Sequence, residues 1–151
     1  MIKIICVGKI KEKYINDAIS EYKKRISKYT KLEIIEVPDR DKIPIKDILK
    51  KEATDIMKYI KDKDYVITME IEGNVLDSLI FAEKIDNLFN NYANIVFVIG
   101  GSYGLDDSIK KRSNYALSFS KLTFPHQLFR VLLLEQIYRV FKINNNETYH
   151  K

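Results

Sequence analysis

The sequence predicts an α/β fold, a largely parallel sheet flanked by helices, on three observations. Strand-like and helix-like stretches alternate three times before Gly100. The run Ile95 to Ile99 is apolar without interruption, as in a strand covered by helices on both faces. With 151 residues, 46% of them hydrophobic, the chain can bury a core without covalent staples. One domain over residues 1–151 is expected.

The elements follow in order. Ile2 to Val7 is a first strand, ended by Gly8. From Lys13 to about Lys28, Ile15, Ala18, Ile19, Tyr22 and Ile26 recur at helical spacing, with lysines and glutamates on the opposite face. Leu32 to Val37 is a second strand, closed by Pro38-Asp39. Ile45, Ile48, Leu49, Ala53, Ile56 and Ile60 mark a second amphipathic helix. Tyr65 to Ile71 is a third strand, which Gly73-Asn74 breaks. Asp77 or Ser78 caps a third helix, whose buried face includes Leu79, Ile80, Leu88 and Phe89. After the fourth strand come a short helix over Leu105–Arg112 and a fifth strand over Tyr115–Phe119. A long helix then starts near Pro125, which suits a first helical turn because it has no N–H to leave unpaired, and runs to about Ile143.

The net charge of +5 is unevenly placed. From Lys110 to Lys151, eight basic residues face only Glu135 and Glu147, so this segment carries +6 and the remainder −1. A positive field of this kind attracts polyanions, nucleic acid first. No apolar run approaches the ~18 residues of a membrane span, and the start of the chain lacks a secretory pattern. Cys6 is the only cysteine and sits in an apolar run, which fits a reducing cytoplasm.

Two loops stand out. Gly100-Gly101-Ser102-Tyr103-Gly104 follows the fourth strand, and parallel sheets bind ligands beyond the carboxyl ends of their strands. A dinucleotide fingerprint ending at Gly104 would need glycine at position 99, where Ile stands, and an acidic residue about twenty positions on. The phosphate-binding Gly-Lys-Ser/Thr pattern is missing as well. The second loop, Ser118 to His126, mixes small polar groups with Phe119, Leu122 and Phe124 just before a helix. Apolar walls with free backbone groups suit a flat heterocycle such as adenine. Two histidines and one cysteine do not make a typical zinc site, so no metal is expected. His126 reads as a helix-start residue.

The combination of Phe97–Gly104, Tyr115–His126, Glu135-Gln136-Ile137-Tyr138-Arg139 and Tyr149-His150-Lys151 resembles the ribosomal large subunit methyltransferase H family of the SPOUT methyltransferases. Ile5–Tyr14 and Ile34–Asp39 match too, so the resemblance spans the chain. It implies a C-terminal trefoil knot, a homodimer and S-adenosylmethionine as methyl donor. The family's donor-binding positions correspond to Met69, to Gly100 with its neighbours Gly101 and Gly104, and to Phe119, Ser120, Lys121, Leu122, Thr123 and Phe124. Met69 replaces the more usual leucine, an apolar exchange of similar volume. The implied substrate is a pseudouridine in a hairpin loop of 23S rRNA on the ribosome, methylated at N3.

For that chemistry the chain offers His150 as a base, because imidazole titrates near neutrality. Arg139 can stabilise charge developing on the nucleobase carbonyls, and Tyr149 can stack on the base. Glu135 shares a helix face with Arg139 at i, i+4. The last helix is apolar almost all round, which implies burial against its own sheet and a second subunit. Two other readings remain open on the residues alone: a non-catalytic basic module docking on ribosomal RNA, and a dinucleotide-dependent oxidoreductase.

Overall fold

The structure, a computed structural model, describes all residues, 1–151. Five strands form one parallel sheet. They are β1 (Ile2–Val7), β2 (Leu32–Val37), β3 (Tyr65–Val75), β4 (Ile95–Ile99) and β5 (Tyr115–Ser118), in the order β2-β1-β4-β3-β5. The helices are α1 (Lys13–Ile26), α2 (Ile45–Met57), α3 (Ser78–Phe89), α4 (Asp107–Arg112) and α5 (His126–Asn144).

Strand periodicity divides the core in two. Ile2, Ile4 and Cys6 of β1 and Ile95, Phe97 and Ile99 of β4 face one layer, with α1, α3 and α5. Ile5 and Val7, Val96 and Val98 face the other, with Ala53 and Ile56 of α2 and Ile109 of α4. Successive side chains of a strand point to opposite faces, so an unbroken apolar run is what a double-sided sheet requires.

Helix α5 lies between α1 and α3 on the sheet. Leu133, Leu134, Ile137, Tyr138, Val140 and Phe141 are buried there. These neighbours absorb most of its apolar girth, but Leu128 remains exposed and Val131 and Leu132 half-buried.

Two expectations are corrected. Strand β3 does not end before Gly73; it continues to Val75 after an excursion. Both Met69 and Asn74 align with Leu117 of β5, so Glu70 to Gly73 leave the ladder between them. Gly73 is there for proximity, since a Cβ would stand 2.8 Å from the carbonyl carbon of Ala116. Leu79 and Ile80 are not part of the buried face of α3. They are exposed on its first turn, 56% and 50%, while Phe81, Ala82 and Ile85 are buried. Asp77 is the cap, accepting from the Ile80 amide at 2.8 Å. That cap sets where the helix begins, and hence which residues face inward.

Candidate active site

The carboxyl ends of β3, β4 and β5 open on a cavity of about 470 Å³. One wall is the glycine turn after β4. Gly101 and Gly104 form an isolated antiparallel bridge, with the Gly104 amide 3.2 Å from the Gly101 carbonyl oxygen. A Cβ on Gly100 would lie 2.5 Å from the Gly104 oxygen. Gly104 itself has φ +82°, a conformation that favours glycine. The glycines therefore serve first to close the turn on itself.

The opposite wall is the segment between β5 and α5. From Phe119 to Phe124 no backbone group takes part in a backbone–backbone hydrogen bond. Only the Leu122 amide, donating to Ser120 Oγ, and the Ser120 carbonyl, accepting from Ser118 Oγ, have protein partners, each at 3.0 Å. Polar backbone groups otherwise seldom go unpaired away from water, so this segment has hydrogen-bonding capacity for a ligand. Phe119 and Phe124 both pack on Phe129 of α5, at ring-centroid distances of 5.0 and 6.1 Å, which holds the apolar side of the wall.

Nine of the ten donor-binding candidates line this cavity: Met69, Gly100, Gly101, Gly104, Phe119, Ser120, Leu122, Thr123 and Phe124. Lys121 does not; its side chain is on the exposed outside of the loop. The sequence reading missed Glu70, Glu72 and Lys110, which also line it. The excursion of β3 turns the two acids toward the cavity, and only the pairing register reveals that excursion. His126 lines it as well, beyond its place at the start of α5.

Glu135, Arg139, Tyr149 and His150 form a second cluster. Arg139 is paired with Glu135, its Nε 3.1 Å from Oε1. Tyr149 donates to the same oxygen at 3.1 Å, and the Arg139 guanidinium lies 4.8 Å from the Tyr149 ring centroid. Arg139 Nη1 is 3.1 Å from His150 Nδ1. A guanidinium only donates, so Nδ1 accepts and the neutral imidazole carries its proton on Nε2. Burial, followed by the bond to Glu135, pushes the Tyr149 hydroxyl up to about 12, so it remains a donor. The tail is docked rather than loose. Tyr29 and Lys142 both bind the Glu147 carboxylate, at 2.8 and 3.1 Å.

This cluster does not line that cavity. His150 borders a neighbouring groove that shares Leu117 and Phe119 with it.

Part of the basic flank is engaged within the protein. Arg130 is buried, 3% exposed, with Nη1 2.7 Å from Glu36 Oε2 and Nη2 donating to the Val7 and Gly8 carbonyls at 2.9 and 2.6 Å. Arg112 donates to the Lys61 and Asp64 carbonyls, and Lys142 pairs with Glu147. Of these, only the Arg130–Glu36 pair draws on an acid outside the segment, so most of the +6 stands.

A family model described as "Predicted SPOUT methyltransferase" matches residues 1–150. This chain belongs to the ribosomal RNA large subunit methyltransferase H family. It is 54% identical over 154 residues to the protein of that name from Caldicellulosiruptor saccharolyticus, covering 100% of both chains. It is 51% identical to the one from Clostridium botulinum strain Alaska E43 and 49% to the one from Streptococcus suis, with 99% of each chain covered in both comparisons. The fold is similar to the solved structure of "a probable methylase family protein" from Haemophilus influenzae, with a TM-score of 0.59 at 17% identity, over 99% of this chain and 70% of that one. The family model spans β4, the glycine turn, α4, β5 and the Phe119–Phe124 loop in this chain. No helix is long and apolar enough to cross a membrane, and no cluster of metal-ligating side chains is present.

Proposed function

We propose that the protein is a cytoplasmic S-adenosylmethionine-dependent methyltransferase of 23S rRNA, acting at N3 of a pseudouridine in a hairpin loop, on the ribosome and as a homodimer. The observation that carries this reading is the Phe119–Phe124 segment, whose free backbone groups and aromatic side chains face the Gly100 turn across a cavity of about 470 Å³. That volume lies within the range of small-molecule sites. Its apolar walls and free amides fit an adenosyl group. The relatives' shared name supports the ribosomal substrate. A trefoil knot belongs to the same reading, supported by the crossing from β4 past β3 to β5.

When bound, S-adenosylmethionine supplies an activated methyl group on a sulfonium, so the chain must chiefly align the acceptor and remove its proton. Glu135 holds Arg139 and Tyr149 together. Tyr149 orients the nucleobase, and Arg139 donates to a base carbonyl, countering the charge that develops there as N3 loses its proton. In the present arrangement His150 Nδ1 is occupied by Arg139. A nucleobase carbonyl that takes over the Arg139 donor frees Nδ1 to accept the N3 proton.

A second subunit is supported by the apolar groups this chain leaves uncovered: Ile71 and Leu122 at the cavity rim, and Leu79, Ile80 and Leu128 on α3 and α5.

Calorimetry with S-adenosylmethionine and mass spectrometry of 23S rRNA from cells with and without the protein test the reading together. Donor binding and a methyl group lost from pseudouridine are expected. Ribosome affinity without donor binding would instead support a non-catalytic docking module.

A further inference from the structure

The donor cavity contains more negative charge than recognition of an adenosyl group requires. Glu70 and Glu72 both line it, from the excursion in β3. Glu72 is exposed, where water screens its charge. Glu70 is not: its side chain is 19% exposed and fixed in place. Glu70 Oε2 accepts from Thr68 Oγ1 at 2.6 Å. A carboxylate only accepts, so the Thr68 proton points at Glu70. Thr68 is fully buried, and Ser113 Oγ lies 2.8 Å from its hydroxyl oxygen.

The other oxygen, Oε1, makes no hydrogen bond. Its one basic neighbour, Lys110 Nζ, stands 4.0 Å away, beyond hydrogen-bonding reach, and Lys110 lines the same cavity. One carboxylate oxygen is thus anchored and the other retains its accepting capacity. A partly buried, fixed charge interacts with a ligand charge far more strongly than a mobile surface one.

We propose that Glu70 is the counter-charge by which the cavity distinguishes the cationic methyl donor from its neutral thioether product, with Lys110 setting the strength of that preference. The proposal rests on the donor-cavity reading above. S-Adenosylmethionine and S-adenosylhomocysteine share the adenosyl group and the amino acid. They differ in the sulfonium charge and its methyl. Glu70 therefore favours the donor over the product, which helps the product leave after transfer.

Calorimetric titration of the full chain with each of the two ligands tests this. Glu70→Gln keeps an oxygen for the Thr68 hydroxyl and removes only the charge. It is expected to weaken S-adenosylmethionine about three- to tenfold and to leave S-adenosylhomocysteine within about twofold. Lys110→Met is expected to shift the ratio the other way, by about twofold in favour of the donor. Equal losses for both ligands in Glu70→Gln would overturn the proposal, because Glu70 would then only shape the wall. Should that variant fail to fold, an unchanged ratio in Lys110→Met overturns it instead. A wild-type protein that binds neither ligand sinks the donor-cavity reading itself, a different result from either.

Discussion

Arg130 of α5 lies 2.7 Å from Glu36 of β2, and its second terminal nitrogen spans the carbonyls of Val7 and Gly8. One side chain therefore bolts the last helix to the ends of two strands. Glu36 also accepts from the Ile10 amide at 3.0 Å, which fixes the loop after β1. Arg130→Met is expected to lose about 3 kcal/mol of stability, because the helix loses its anchor and two carbonyls lose their donor. Urea denaturation measures it. Glu36→Gln is expected to cost less, since that side chain is 37% exposed.

The tail should matter to chemistry more than to donor binding. Tyr149→Phe removes the hydrogen bond to Glu135 but keeps the ring, which packs 4.9 Å from Tyr138. His150→Ala removes an exposed group. Both variants are expected to bind S-adenosylmethionine within about twofold of wild type while rRNA methylation falls at least about a hundredfold for His150→Ala, the scale of a lost general base. Mixing a His150→Ala protein with one disabled at Gly100 then reports whether the tail serves its own cavity or the partner's. Recovered activity means the partner's.

Gly100→Ala places a methyl group 2.5 Å from the Gly104 oxygen, and the obstacle is backbone. The turn must open to accept it. Donor affinity is expected to fall at least about tenfold, with the secondary structure retained by circular dichroism. Gly104→Ala meets no atom within 4 Å and suffers from its positive φ alone, so its expected loss of stability is about 1 kcal/mol.

Glu52 is 6% exposed, in α2 beneath the Gly101 turn, and accepts no hydrogen bond. Burial raises its pKa, with Arg40 pulling the other way and Asp39 and Asp55 adding to the rise. A carboxyl group raised in the folded state binds more protons folded than unfolded between the two pKa values. Stability from Glu52 is therefore present at low pH and declines as pH rises from the ordinary carboxylate range through the raised value. Glu52→Gln is expected to raise the melting temperature at pH 7 by about 2–4 °C, with the gain shrinking below the ordinary glutamate pKa. Thermal melts at several pH values check this.

Cys6 is fully buried, and burial pushes its thiol up to about 11. Native protein is expected to leave a thiol reagent unreacted at pH 8 until denaturant is added.

The local pattern of the chain was enough for the α/β class, the order of the elements, and the two loops that meet at the cavity. Hydrophobic period and turn residues are local quantities, and strands such as Ile2–Val7 and Ile95–Ile99 carry them without ambiguity. Tertiary structure alone decided the rest. The excursion at Glu70–Gly73 lies where β3 pairs with β5, with Gly73 against Ala116, and Glu70 lines the cavity there. Arg130 is one of the eight basic residues of the positive segment, yet it is a buried bolt, because its acceptors lie on strands more than ninety residues earlier. Glu135, Arg139, Tyr149 and His150 were each legible as candidates. Their mutual bonds, and the separation of that cluster from the donor cavity, depend on how the tail folds back on α5. Period and turn chemistry act between neighbours in the chain; charge pairing and close backbone approach act between neighbours in space, and only the folded chain defines those.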